Sequence, residues 1–189
     1  MTGKFAEIIR KFTVAPIMAF IMLVTLYLKD PSLFDGFTNF ILSILFLTIF
    51  PLLAYPLQPF IKQYKNKGRE GQRTLAMIFA VAGYIGGCLS GLLLHAPKSI
   101  RIIYLCYLLS GALITLFNKF LHLRASGHAC GVTGPLIILM YFGLATGYLG
   151  VPILAVVWWA SLKMRRHTIW QLVGGSVISI VALGIAVYM

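Results

Sequence analysis

Seven apolar segments, at about 12–28, 37–61, 74–95, 99–118, 128–148, 150–162 and 168–189, make up most of this chain. Hydrocarbon offers no partner for a backbone amide, so a segment that enters it must satisfy its own hydrogen bonds as a helix or close into a barrel. These are continuous apolar runs rather than alternating ones, and a helix needs about 20 residues to cross the core. They predict an all-α, polytopic integral membrane bundle of six or seven transmembrane helices, forming one membrane-embedded domain over residues 1–189. Only 150–162 is clearly short for a span. Composition agrees, with 60% of the residues apolar and 11% charged, where a soluble domain carries about a quarter charged.

Charge is the second constraint. Sixteen Lys and Arg face four acids, Glu7, Asp30, Asp35 and Glu70, for a net charge of +12. The bases sit in short loops between apolar runs, which excludes the exposed basic face of a nucleic-acid binder. Three uses remain: topology determinants, attraction to anionic lipid heads, or a phosphate site. Most of these cations have no acid in the chain to pair with, which favours an anionic ligand. If all seven segments span, the N-terminus and the loops at 62–73, 119–127 and 163–167 share one face with thirteen of the cations, against Lys29, Lys98 and Arg101 on the other. The positive-inside rule puts the crowded face in the cytoplasm.

Other features read as architecture. Cys88, Cys106 and Cys130 lie within apolar stretches without metal-ligand spacing, and are expected as buried thiols. No small-x-small cleavage signal follows the first apolar run, so it is expected as a retained span. Pro51, Pro56 and Pro59 predict a kink or an exit from the membrane at the far end of the second segment. Gly83, Gly87 and Gly91 form overlapping GxxxG steps and predict a close helix contact.

Two loops hold the chemistry. The first, Lys119-Phe-Leu-His122-Leu-Arg124-Ala125-Ser126-Gly127-His128, ends where an apolar helix begins. A Ser-Gly-His turn opening a helix offers amides, a hydroxyl and an imidazole to one anion. The second, Ser161-Leu-Lys163-Met-Arg165-Arg166-His167-Thr168-Ile-Trp-Gln171, also opens a helix. If helical phase holds, Lys163, His167 and Gln171 stand on one face. Cations at helix ends commonly snorkel to lipid heads, and a single membrane-edge His is more often structural. Here two His residues each sit beside Arg or Lys at a helix start. His95 and His122 lack that company and are expected to be structural or interfacial.

These motifs resemble the type 2 phosphatidic acid phosphatases, membrane-embedded lipid phosphate phosphatases. That family has a Lys- and Arg-bearing first motif, a Pro-Ser-Gly-His second motif, and a third with Ser-Arg, five residues, His, three residues and Asp. Ala125-Ser126-Gly127-His128 matches the second with Ala for Pro, and His167 with Gln171 matches the end of the third with Gln for Asp. Ser161 stands where the third motif has Arg, so Lys163 or Arg166 would supply that charge. Lys67-Gly-Arg69-Glu-Gly-Gln-Arg73 carries the cations of the first motif, and Lys119 and Arg124 could replace it.

The resemblance implies that His167 attacks phosphorus to form a phosphohistidine, oriented by Gln171, and that His128 protonates the leaving lipid alkoxide. Lys67, Arg73, Lys119, Arg124, Ser126, Gly127, Lys163 and Arg166 would hold phosphate oxygens. No metal and no other cofactor is implied. The substrate would be a lipid phosphomonoester or diphosphate such as phosphatidate, phosphatidylglycerophosphate or a polyprenyl phosphate, and the setting a bacterial cell membrane. Scarcity of carboxylates argues against a metal-dependent phosphotransferase, and no Gly-x-Ser-x-Gly hydrolase motif is present. The rival reading is a catalytically lapsed protein that binds a lipid or isoprenoid phosphate on the same scaffold, to which the Ser161 and Gln171 departures point.

Overall fold

The computed structural model describes residues 2–189 and contains helices and no strand among the described residues. Helix α1 spans Thr2–Phe12 and α2 spans Ala15–Lys29. The two are bent by 54° at a break where Val14 is extended and Pro16 sits in the first turn of α2. The remaining helices are α3 (Phe37–Phe60), α4 (Gly68–Leu93), α5 (Lys98–Phe120), α6 (Gly127–Tyr141), α7 (Ala145–Lys163) and α8 (Ile169–Tyr188). Five of them, α3, α4, α5, α7 and α8, are long and apolar enough to cross a membrane, and the bent α1–α2 pair makes a sixth if it counts as one span. Apolar α6 has only 15 residues, about 22 Å of rise, short of the roughly 30 Å hydrocarbon core.

The exterior shows why this bundle belongs in lipid. Phe20 of α2, Ile85 and Leu89 of α4 and Ile180 of α8 are 43–54% exposed, a display that would aggregate in water. Burial therefore contributes little between helices, and close packing of small residues takes over. A Cβ on Gly83 would strike the Phe46 carbonyl of α3, and one on Gly87 would come within 2.8 Å of the Tyr104 ring of α5. The GxxxG steps thus seat α4 between α3 and α5. Helix α6 packs against α2, α5, α7 and α8, and α1 lies against α7.

Two boundaries differ from those read off hydropathy. Helix α3 runs through Pro51 and Pro56, with a wide π-turn at Leu45–Ile49 just ahead of Pro51, and ends in a 3-10 turn at Pro59. The break expected near residue 149 lies instead at residues 142–144, where Gly143 takes a φ of 75°. The short 150–162 segment is accordingly part of a full 19-residue helix, α7.

Candidate active site

The turn before α6 and the turn before α8 meet at one end of the bundle, where the Ser126 amide donates to the Gln171 carbonyl at 2.8 Å. Glycine permits this approach, because a Cβ on Gly175 would collide with the Ser126 carbonyl. Gly131, on α6, does the same for α2, since its Cβ would press on Ala15. Both contacts hold the two histidine-bearing turns beside the break between α1 and α2.

A cavity of about 860 Å³ opens there. Its polar end is lined by Arg10, Arg73, Arg124, Arg166, His128 and His167, with Gly127, Gln171 and Asn118. Its apolar end runs between α2, α3, α4 and α5, past Val14, Pro51, Ala80 and Ile114, and ends on Tyr84, Tyr107, Cys106 and Cys130. The Tyr107 hydroxyl is buried without a hydrogen-bond partner. All three cysteines are unpaired thiols, Cys106 and Cys130 buried and Cys88 half-buried. A second, more open recess of about 400 Å³ adjoins the polar end and shares Arg124, Arg166, His167 and Gln171 with the cavity.

Among the described residues no carboxylate lines either space. Glu7, the acid nearest in sequence to Arg10, pairs with Lys11 at 3.2 Å and Arg69 at 4.0 Å instead. The cavity mouth therefore carries four guanidinium groups without a counter-charge, an arrangement suited to a multiply charged oxyanion. Among the described residues no group of three His, Cys, Asp or Glu is placed to hold a metal ion.

The hydrogen-bond partners of His128 and His167 assign a tautomer to each. The Gln171 Oε1 accepts the backbone N–H of Thr168 at 3.3 Å, part of a capping box in which the Thr168 hydroxyl accepts the Gln171 amide. That oxygen also lies 3.0 Å from Nδ1 of His167. As an acceptor it calls for a proton on Nδ1, which leaves the Nε2 lone pair of neutral His167 free. Burial lowers the His167 pKa below 6.5, the Gln171 bond raises it, and Arg10, Arg73 and Arg166 lower it further. The Thr13 hydroxyl donates to the Ile9 carbonyl at 2.8 Å and sits 3.1 Å from Nε2 of His128. With its one proton committed, Thr13 must accept, so His128 carries a proton on Nε2.

Of the residues singled out in the sequence, His128, His167, Gln171, Arg73, Arg124, Gly127 and Arg166 come together at the cavity. As the first residue of α6, Gly127 has no intrahelical acceptor for its amide. Ser126 is placed otherwise: it is fully buried behind the cavity wall rather than lining it, and its hydroxyl caps α6 by accepting the Ala129 amide at 3.2 Å. The expected alignment of Lys163, His167 and Gln171 also fails. Helix α7 ends at Lys163, and Arg165 adopts a left-handed φ of 50°, so helical phase is lost and Lys163 stays outside the cavity. Lys67, over the Tyr64 ring at 5.7 Å, and exposed Lys119 also lie outside it. His95 and His122, with φ of 51° and 53°, occupy left-handed positions just beyond helix ends away from the cavity.

Three cavity-side residues carry no signature in the sequence: Arg10, Thr13 and Asn118. Asn118 clamps the turn before α6, donating to the Ala125 carbonyl at 3.1 Å and accepting the Ala125 amide at 2.6 Å. A proline at 125 would have no amide to give. The Asn118 clamp thus uses an amide that only a residue other than Pro can offer at 125.

Compared with models of known protein families, with curated proteins and with solved structures, the chain matches none. What the geometry establishes by itself is an integral membrane helical bundle with two oriented histidines at an arginine-lined cavity.

Proposed function

We propose that this protein is a lipid phosphate phosphatase that works through a phosphohistidine. The observation that carries the reading is His167: its Nδ1 is held by Gln171 and its Nε2 is free, beside four arginines and no acid. In the proposed first step the Nε2 lone pair attacks phosphorus, the bond from phosphorus to the lipid oxygen breaks, and His128 hands a proton to that oxygen. Burial, with Arg10 and His167 nearby, pushes the His128 pKa down to about 3, so the ring is neutral before substrate binds and takes this proton from the bound phosphate monoanion. In the second, His128 takes a proton from water, water oxygen bonds to phosphorus, and the phosphorus–nitrogen bond breaks to release phosphate and neutral His167. Arg73, Arg124 and Arg166 hold the equatorial oxygens as charge redistributes.

The two spaces suit the two steps. The long apolar cavity fits a hydrocarbon chain with its head group at the arginines. The open recess beside His167 fits the approach of water. A second reading, binding without turnover, is favoured by Gln171 itself, since a neutral amide orients the imidazole but does not stabilise its positive charge. Phosphate release from a panel of detergent-solubilised phosphatidate, phosphatidylglycerophosphate and polyprenyl phosphates decides between them. Release that disappears in His167→Ala is the expected result, whereas binding of these lipids with no release supports the second reading.

A further inference from the structure

Helix α1 has three distinct faces. Phe5, Ile8 and Phe12 are 51–69% exposed along one side, Lys4, Glu7 and Lys11 follow along the next, and Ala6 is fully buried on the third. An apolar stripe beside a charged stripe is how a helix lies in the plane of a membrane interface. The third face meets α7, and from its end come Arg10 and Thr13.

Arg10 is half-buried, and its Nη1 donates to the Ser161 hydroxyl at 2.5 Å. Ser161 is fully buried and spends its own proton on the Val157 carbonyl at 2.8 Å. Among the described residues Arg10 has no acid partner, and its neighbours at the cavity include Arg73, Arg166, His128 and His167. Holding a guanidinium out of water among like charges is costly unless an anion shares the site. One of its five N–H donors is committed to Ser161, and the others remain for oxygen acceptors.

We propose that Arg10 is a substrate-binding residue: α1, lying in the interface, carries its guanidinium into the cavity to hold a phosphoryl oxygen at the place where the third motif has Ser161 instead of Arg. The site is then built from two distant parts of the chain, with the N-terminal helix supplying one of its anion ligands. The inference rests on the phosphatase reading for the identity of the substrate, but the anion site it describes can be tested without turnover.

The test is orthovanadate binding to the detergent-solubilised full chain by calorimetry, with phosphate release measured alongside. Arg10→Gln removes the charge and is too short to reach Ser161, and should weaken vanadate binding by about ten- to a hundredfold, the scale of a lost charge-assisted hydrogen bond. Lys11→Gln, on the water face of the same helix, should bind as the natural chain does. Arg10→Ala combined with Ser161→Arg returns a guanidinium from the other side of the contact and should recover most of the binding. Arg10→Gln binding vanadate as tightly as the natural chain would overturn the inference while leaving the phosphatase reading intact. Vanadate binding that depends on Arg10 without release of phosphate from any lipid would uphold the inference and remove the phosphatase reading. A natural chain that binds no vanadate would overturn both.

Discussion

The amide of Ser126 donates to the carbonyl of Gln171 at 2.8 Å, joining two turns that lie far apart in the sequence into one wall of the cavity. Gly175 makes that bond possible, since any side chain there meets the Ser126 carbonyl. Gly175→Ala should therefore push α8 away from the turn. The expected cost is about 1–3 kcal/mol, the range for overpacking a tight contact. It would be seen as a lower Tm together with a lower rate of phosphate release. An unchanged Tm would mean that the two turns do not depend on this approach.

Asn118 and Ala125 form a second joint, with one hydrogen bond in each direction. Asn118→Ala should lower turnover by about tenfold, the scale of losing a group that orients a binding turn. Ala125→Pro removes the amide that Asn118 accepts. The two substitutions act on the same clamp, so the double variant should lose less than the sum of the single losses. Full additivity in release rates would show that the two residues act separately.

The pH dependence follows from His167. Burial, with Arg10, Arg73 and Arg166 nearby, holds its pKa below the ordinary 6.5 even though the Gln171 bond acts the other way. In the proposed mechanism the attacking form is the neutral one, and a lowered pKa keeps the ring neutral to lower pH. The acid limb of kcat/KM assigned to this group should accordingly fall below pH 6.5. Gln171→Glu would favour the imidazolium and move that limb up. A limb in the natural chain above 6.5 that Gln171→Glu leaves in place would contradict the assignment. The unfolded chain takes up this proton more readily, so His167 also withdraws stability as the pH falls through 6.5.

Topology offers an independent check. Arg10, Arg73, Arg124 and Arg166 reach one cavity from the N-terminus and three separate loops or helix starts. Cysteines introduced at Lys65, Arg124 and Arg166 should react with a membrane-impermeant thiol reagent from a single side, cytoplasmic by charge bias. Labelling from opposite sides would break the site apart, and labelling of all three from outside would reverse only the orientation.

Hydropathy made the helices legible because lipid leaves the backbone few alternatives, and the Ser-Gly-His turn and His167 with Gln171 marked the two histidines. What it could not show depends on the path of the chain between them. Arg10 looks like an ordinary interfacial cation until α1 is laid against α7, and Asn118 gains its role only through a turn seven residues on. Lys163 illustrates the opposite error. Its spacing to His167 fits a helix face, but α7 ends at that residue and the left-handed Arg165 turns the chain away. Ser126, whose residue type suits either a phosphate ligand or a helix cap, turned out to be the cap because its hydroxyl faces its own helix.

The most direct measurement of the central claim is a rapid quench of the solubilised protein with a lipid phosphate labelled in its phosphoryl group. A phosphohistidine is labile in acid and survives alkali, so alkaline quenching should trap label on the protein at His167. His128→Ala, which on the proposed mechanism also slows hydrolysis, should raise the trapped fraction with an activated aryl phosphate, and His167→Ala should trap none. Phosphate release from the natural chain with no label on the protein, or with equal label in His167→Ala, would contradict the account.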